Sequence, residues 1–512
     1  MESARQVEVL VIGAGFAGVC AAIKLAESGI TDFELHDKAT GIGGTWWANT
    51  YPGATCDIPS HFYCYSFEPN PDWSRLYAPQ PEIQAYIERC VDTYGVRGHI
   101  HLRSKVTDLV FDEDAARWTV GFDNGETILA RFVINAAGAL HQPMIPRFDG
   151  ADRFSGRQFH SAEWDARFDP CGKRVAVIGS AASAIQIVPE IAASAARVCL
   201  FQRTANYIAR RRNFAYSERQ KQRFRRFPAL MRLVRWKMFL ERDIGLFPII
   251  TNGSYRDRIA SYLKRRMRRK VLDPQYHEAL EPDYALGCKR ILISDDFFDA
   301  LNRDTVELVC EPIERFTQNG IVTADGRGRA FDAVIYATGF DIEAHQRAID
   351  VTGLDGVSIE AAWRSGAEAY RGVMIPHFPN YFLATGPNTG VGTTSIIFMI
   401  EQSVAWIVKC IGRARAGETI SVTPEATADH NRRIAAALSR TVWASGCTSW
   451  YRRADGRIDT LYPWRAQVFR RQLRDIDLRH IRFGKSAAES PRDGLEVPVR
   501  DRRNDHRTVK SI

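Results

Sequence analysis

The 512-residue chain has no long apolar run. Its strongest candidate, Trp236 to Ile250, is interrupted by Glu241, Arg242 and Asp243 and falls short of the ~18 apolar residues that a spanning helix needs, so no stable membrane insertion is expected. It also shows no leader pattern: Met1-Glu2-Ser3-Ala4-Arg5-Gln6 leads into a strand pattern, so neither a secretory nor a transit segment is expected. Ten cysteines are present without a single CxxC spacing. That scatter predicts reduced thiols in a cytoplasmic protein and argues against a disulfide scaffold, a zinc site or any other metal centre. With 37 glycines and 22 prolines, collagen-like and low-complexity classes are excluded as well. What is present, 45% hydrophobic and 25% charged residues, is an ordinary globular balance in a chain long enough for several domains.

Charge is unevenly spread. The net +9 is matched by the stretch from Arg211 to Leu240 alone, with ten Lys/Arg and one acid, Glu218, and a second run spans Lys264 to Lys270. Such runs suit a nucleic-acid or anionic-membrane face. No nucleic-acid motif accompanies them, and a solvated helical surface that draws in a polyanionic cofactor is the reading adopted, with no nucleic-acid partner.

The N-terminal segment is more specific. Val7 to Ile12 reads as a buried strand, Gly13-Ala14-Gly15-Phe16-Ala17-Gly18 follows at once, and Val19, Ala22, Ile23 and Ala26 repeat at helical spacing up to Gly29. A second strand begins at Asp32 and ends at Asp37. This order is that of a dinucleotide-binding unit. Gly13 permits the tight turn, Gly15 allows close approach to a pyrophosphate, Gly18 allows close helix–strand packing, and Asp37 can bind a ribose hydroxyl.

The pattern recurs. A strand from Arg174 to Ile178 runs into Gly179-Ser180-Ala181-Ala182-Ser183-Ala184, then an apolar helix and a strand from Val198 to Gln202. Asp37 and Arg203 each lie 24 residues beyond the first glycine of their unit. An acid there suits an unphosphorylated ribose and an arginine suits a 2′-phosphate, so the first unit is read as an FAD site and the second as an NADPH site. Ala181 stands where the close-approach glycine belongs, which leaves open a degenerate second unit that binds nothing.

Two further stretches narrow the chemistry. Gly43-Gly44-Thr45-Trp46-Trp47-Ala48-Asn49-Thr50-Tyr51-Pro52-Gly53-Ala54-Thr55-Cys56-Asp57 and Phe154-Ser155-Gly156-Arg157-Gln158-Phe159-His160-Ser161-Ala162-Glu163-Trp164-Asp165 match the two fingerprints of type I Baeyer–Villiger monooxygenases. The chain resembles that family over about residues 5 to 465 and is most similar to its aryl-ketone (4-hydroxyacetophenone-type) branch. The resemblance implies an FAD- and NADPH-dependent enzyme that takes O2 and a small-molecule ketone and returns an ester or lactone by way of a C4a-peroxyflavin.

It also implies roles for residues. Arg290, after Cys288-Lys289, corresponds to the active-site arginine that stabilises a peroxide anion and then an oxyanion, and Asp57 to the carboxylate that orients it. Lys38, Gly44, Thr45, Trp46, Thr55, Cys56, Tyr63 and Val106 join Gly13, Gly15, Gly18 and Asp37 as expected FAD-side contacts; for Tyr63 a core role is equally open. Ser180, Ala181, Ala182, Ser183, Ala184 and Gln186 join Gly179 at the NADP loop, with Arg203, Thr204 and Lys289 around the 2′-phosphate. Trp450, in Ser449-Trp450-Tyr451, is expected to cover the nicotinamide half. Gly386-Pro387-Asn388-Thr389 and Ser395 to Glu401 resemble the last FAD-binding turn and helix. His160 is read as structural and Trp164 as a packing anchor.

The expected fold is α/β, with two Rossmann-like dinucleotide-binding domains, the second inserted in the first. Residues 1–145 and 370–480 form the FAD domain and 150–210 and 285–345 the NADP domain. Residues 211–284 form a helical insert broken at Pro228, Pro248 and Pro274, and 485–512 a polar tail expected to be disordered. Two rival readings fit the nucleotide units: a flavin monooxygenase acting on sulfur or amine nitrogen, and a non-catalytic flavoprotein. The sequence is silent on oligomeric state.

Overall fold

The computed structural model describes residues 5–341, 348–447 and 449–484; the expected tail lies outside them. Two sheets organise the fold. In the first, strands run in the order Asp350–Thr352, Val106–Asp112, Arg117–Phe122, Thr127–Asn135, Arg5–Ile12, Phe33–Asp37 and Ile100–Leu102, with Tyr381–Leu383 also pairing along Thr127–Asn135. The nucleotide half of this sheet is parallel, Arg5–Ile12 lying between Phe33–Asp37 and Thr127–Asn135. That explains the unbroken apolar run Val9 to Ile12, all of it buried: a parallel strand is covered on both faces. Strands 106–135 form an antiparallel meander appended to it.

The second sheet is wholly parallel, in the order Val306–Val309, Arg197–Phe201, Arg174–Ile178, Ala333–Tyr336 and Arg157–His160. Both sheets therefore collect strands from distant stretches, the first from either side of the second. The chain rejoins the first sheet at Asp350–Thr352, about twenty residues before the expected return at 370.

Helix Phe16–Glu27 buries nearly its whole length and packs against helix Ile396–Arg413. It ends where expected: Gly29 adopts φ +77°, its N–H bonds the Ala26 carbonyl, and the Ile30 N–H reaches the Leu25 carbonyl. Helices fill the insert between 218 and 279, with Pro228 and Pro248 opening helices Pro228–Leu240 and Pro248–Thr251 and Pro274 preceding Gln275–Ala279. The insert is not simply a solvated surface. Its Arg235 reaches inward and donates to the carbonyls of His61 and Cys64 at 3.1 and 2.9 Å, while Leu233 and Trp236 are each 57% exposed.

The cysteines correct the expectation of fully reduced thiols. Cys288 and Cys447, 159 residues apart, form a disulfide, and the other eight are free. Only the return of the chain places these two together. A second cluster not legible in sequence joins Glu34, His36 and His101 within 4.8 Å. Arg5 bonds the Glu34 carboxylate at 2.9 Å, so a guanidinium already holds the place of a cation there.

Candidate active site

The first glycine-rich turn is built as its sequence demands. Gly13 has φ +103° and its N–H bonds the His36 carbonyl at 2.8 Å. A Cβ on Gly18 would lie 1.7 Å from the Gly13 carbonyl oxygen, so any side chain there would force the helix off the strand. Gly15 begins the helix with no side chain capping its free N–H groups, and a Cβ on Gly44 would stand 2.9 Å from the Gly15 Cα. The result is a bare backbone cradle at a positive helix end, which fits a pyrophosphate. Asp37 closes the cradle, accepting from the N–H groups of Ala14 and Ala39 at 2.6 and 2.7 Å. Thr394 Oγ1 and Ser395 Oγ, at the uncapped start of helix Ile396–Arg413, are buried with no partner, as polar groups awaiting a ligand are.

The second turn repeats the main features of the first. Gly179 has φ +108° and its N–H bonds the Phe201 carbonyl; the Ile185 N–H bonds the Ala181 carbonyl as the Val19 N–H bonds that of Gly15. Ala181 thus does occupy the place of Gly15, and it is exposed, so the methyl group costs the protein itself nothing. Ser183 starts helix Ala184–Ile191 without capping it. Ser180 Oγ donates to the Thr204 carbonyl at 3.1 Å, and Asn206 holds the Ser180 carbonyl. Arg203 is exposed, and Lys289 sits over the Tyr284 ring at 4.7 Å. Burial and the neighbouring Arg203 guanidinium pull the Lys289 ammonium below its ordinary range, with Asp283 opposing. Two cations from distant segments repelling each other make an anion site.

Arg290 and Asp57 meet in a two-pronged ion pair. Nε donates to Oδ2 and Nη2 to Oδ1, each at 2.6 Å, across 233 residues of sequence. Asp57, ahead of burial, holds the guanidinium's pKa above its usual value. The Arg290 side chain nevertheless keeps 41% of its surface open, so the pair is not sealed in the core. Tyr451 faces it: burial pushes the phenol upward, and its hydrogen bond and proximity to Arg290 pull back.

Other sequence candidates take defined places. The Trp46 indole donates to the Tyr63 hydroxyl at 3.1 Å, and Thr45 opens the short helix Thr45–Ala48. Cys56 is buried, its N–H bonding the Ala78 carbonyl; Val106 is buried at the head of its strand; Lys38 is exposed. Gln186 is a clasp: its amide accepts from Tyr51 Oη at 3.1 Å and from Thr55 N–H at 3.3 Å, and donates to the Thr55 carbonyl at 3.0 Å. A Cβ on Gly53 would lie 2.8 Å from the Gln186 carbonyl oxygen. The Tyr51-Pro52-Gly53 stretch therefore buckles one nucleotide unit to the other. Trp450 is half exposed, with its ring 4.3 Å from that of Tyr451; Tyr451, not Trp450, faces Arg290. His160 is buried and caps Ala162 N–H through Nδ1, and Trp164 packs on Phe159 and Phe168.

Sequence reasoning missed Arg211. Its Nε and Nη2 are buried without partners, and burial lowers its pKa against the pull of Asp296 and Asp57. The only sequence signal was its membership of the basic run.

Known proteins are similar to this chain in sequence and fold. A sequence profile of the pyridine nucleotide-disulphide oxidoreductases matches residues 10–234. A Baeyer-Villiger monooxygenase of Streptomyces coelicolor is 39% identical over 478 residues, covering 93% of this chain and 92% of that protein. The chain belongs to the Baeyer–Villiger monooxygenases. The fold agrees. An oxidized steroid monooxygenase bound to NADP superposes with TM-score 0.86 at 31% identity, over 94% of this chain and 100% of that one. Cyclohexanone monooxygenase from Rhodococcus sp. Phi1, bound to NADP+, gives 0.87 at 28% identity over 94% and 100%. This Baeyer–Villiger monooxygenase is accordingly an FAD- and NADPH-dependent flavoprotein that inserts one oxygen atom of O2 beside a ketone carbonyl, giving an ester or lactone. Among the described residues no helix is long and apolar enough to cross a membrane.

Proposed function

We propose that Arg290 and Asp57 are the catalytic pair of this enzyme, that its ketone is aryl-substituted, and that it works in the cytoplasm. The observation that carries the first reading is the two-pronged bond between a fingerprint carboxylate and an arginine from the far nucleotide unit. Bound flavin supplies the oxygen-activating redox chemistry. The rest falls to this chain. The Arg290 guanidinium, fixed in direction by Asp57, offers a permanent positive charge to the oxyanion that develops on the substrate carbonyl oxygen. Asp57 keeps that charge oriented and offsets the cost of its partial burial. The ring of Tyr451, which faces Arg290, supports an aryl ketone.

The cofactor assignments follow the cradles: FAD at Gly13, Gly15, Gly18, Asp37 and the Gly44-Thr45-Trp46 turn, NADPH at Gly179 to Ala184 with Arg203, Thr204 and Lys289 on the 2′-phosphate. Arg211, with two orphaned nitrogens, is a further contact for the anionic cofactor. The domain division into 1–145 with 370–480, 150–210 with 285–345 and an insert at 211–284 is supported by the strand order, with 350–352 added to the first unit. Eight of the ten cysteines are unpaired, which supports the cytoplasm, with the Cys288–Cys447 bond as the exception.

The test uses the FAD-loaded enzyme with NADPH and isotopically labelled O2 on 4-hydroxyacetophenone, a cyclic ketone and an aryl methyl sulfide. One labelled oxygen per ester, with the aryl ketone turned over fastest, is expected. Faster turnover of the cyclic ketone than of the aryl ketone overturns the aryl assignment, and undiminished ester formation by Arg290→Ala overturns the catalytic pair.

A further inference from the structure

The disulfide ties the segment that carries Arg290 to the loop that carries Tyr451. Cys288 precedes Lys289 and Arg290 directly, and Cys447 lies three and four residues before Trp450 and Tyr451. Their Cα atoms are 6.3 Å apart, within bridging range. The approach to the bond is already set by other contacts: the Trp443 indole donates to the Gly287 carbonyl at 3.0 Å, and Ser445 Oγ bonds Cys288 Sγ at 3.5 Å. Past the disulfide, the next anchors are the Tyr451 carbonyl, which accepts from Thr460 Oγ1 at 3.0 Å, and Arg453, which reaches Asp459 at 3.4 Å. Gly446 has φ +93° and Trp450 is half exposed, so the disulfide and the inward Tyr451 hold this stretch against the Arg290 side.

We propose that Cys288 and Cys447 are a site of reversible oxidative modification that latches the Tyr451 loop over the Arg290–Asp57 pair. The consequence for turnover rests on the reading of Arg290 given above; the latch itself does not. Cys288 is buried and Cys447 partly exposed, which sets the order of events. The Cys447 thiolate attacks one oxygen of hydrogen peroxide and the O–O bond breaks. Cys447 becomes a sulfenic acid, and the released hydroxide takes a proton to leave as water. The Cys288 sulfur then displaces the sulfenic hydroxyl, which leaves as a second water with the Cys288 proton. Two thiols are oxidised and one peroxide is reduced to two waters. A reducing dithiol reverses this. One of its thiolates attacks Cys447 Sγ, and Cys288 leaves and takes a proton. Its second thiolate then attacks the first dithiol sulfur, and Cys447 leaves and takes a proton, so the dithiol departs as a cyclic disulfide.

Full-length, FAD-loaded enzyme is treated with hydrogen peroxide, cleared with catalase, and compared with enzyme reduced by dithiothreitol. Differential alkylation and mass spectrometry read the cross-link, limited trypsin digestion at Arg452 and Arg453 reads loop release, and NADPH-dependent ketone oxidation reads the consequence. The expected result is a Cys288–Cys447 cross-link, protection of both arginine sites, and turnover at least about threefold below that of the reduced enzyme, restored by dithiothreitol. C447S is expected to show neither cross-link nor protection, and turnover indifferent to peroxide. No cross-link, a cross-link without trypsin protection, or an equal peroxide response in C447S overturns the proposal. A cross-link with protection but unchanged turnover upholds the latch and overturns its consequence for the site. If reduced enzyme makes no ester at all, the reading of Arg290 fails, while the trypsin comparison still decides the latch.

Discussion

Replacing Arg290 separates catalysis from folding. Its guanidinium makes two 2.6 Å bonds to Asp57, but Arg290 retains 41% and Asp57 26% side-chain exposure. A pair so open to solvent contributes about 0.2–1 kcal/mol to stability, so Arg290→Ala should fold, retain FAD and melt within a few degrees of the parent. The loss belongs in the transition state. Removing one preorganised charged donor from a developing oxyanion costs about 2.7–4 kcal/mol, or roughly 10²–10³ in rate. Arg290→Lys keeps the charge but cannot make the fork, and the forfeited charge-assisted bond costs about 1.5–3 kcal/mol. The assay pairs two readings on one sample: anaerobic flavin bleaching by NADPH, expected within a few-fold of the parent for both variants, and ester formed per NADPH consumed, expected to fall steeply for Ala and less for Lys. Ester yield at the parental level from Arg290→Ala refutes the assignment, and equal loss of bleaching and ester would make the pair a structural link between the two units.

Two predictions concern the second nucleotide unit. Arg203→Ala should raise the KM for NADPH by at least about tenfold and leave that for NADH nearly unchanged, because only the 2′-phosphate distinguishes the two cofactors; equal losses would show that the position does not read that phosphate. Glu307, in strand Val306–Val309, is held against burial, which raises its pKa, by Arg329 at 2.9 Å and Arg197 at 2.6 Å, and is pulled from 4.5 to about 2. A depressed carboxyl stabilises the fold above its unfolded pKa, so this contribution is full above about pH 4.5 and drains away as pH falls towards 2. Glu307→Gln should therefore lower the urea midpoint at pH 7, by an amount that narrows below about pH 4.5 and continues to shrink towards pH 2; a gap that is constant or widens on acidification would sink the argument.

The sequence by itself determined the two nucleotide turns and their chemistry, because the constraints there are local. A positive φ at Gly13 and Gly179 and the 1.7 Å approach at Gly18 admit almost no other residue, and the 24-residue offset is fixed by one strand, one helix and the next strand. Asp57, closing the first fingerprint, and Arg290, in Cys288-Lys289-Arg290, were pointed to only by likeness to a family. The tertiary structure decided everything that depends on remote parts of the chain meeting. It set Gln186 as a clasp on Tyr51 and Thr55, turned Tyr451 rather than Trp450 towards Arg290, left two nitrogens of Arg211 buried without partners, and brought Cys288 to Cys447 across 159 residues. Spacing in sequence carries no record of such encounters. They follow from the chain building one sheet, leaving it to build the second, and returning to the first, which brings segments far apart in sequence side by side.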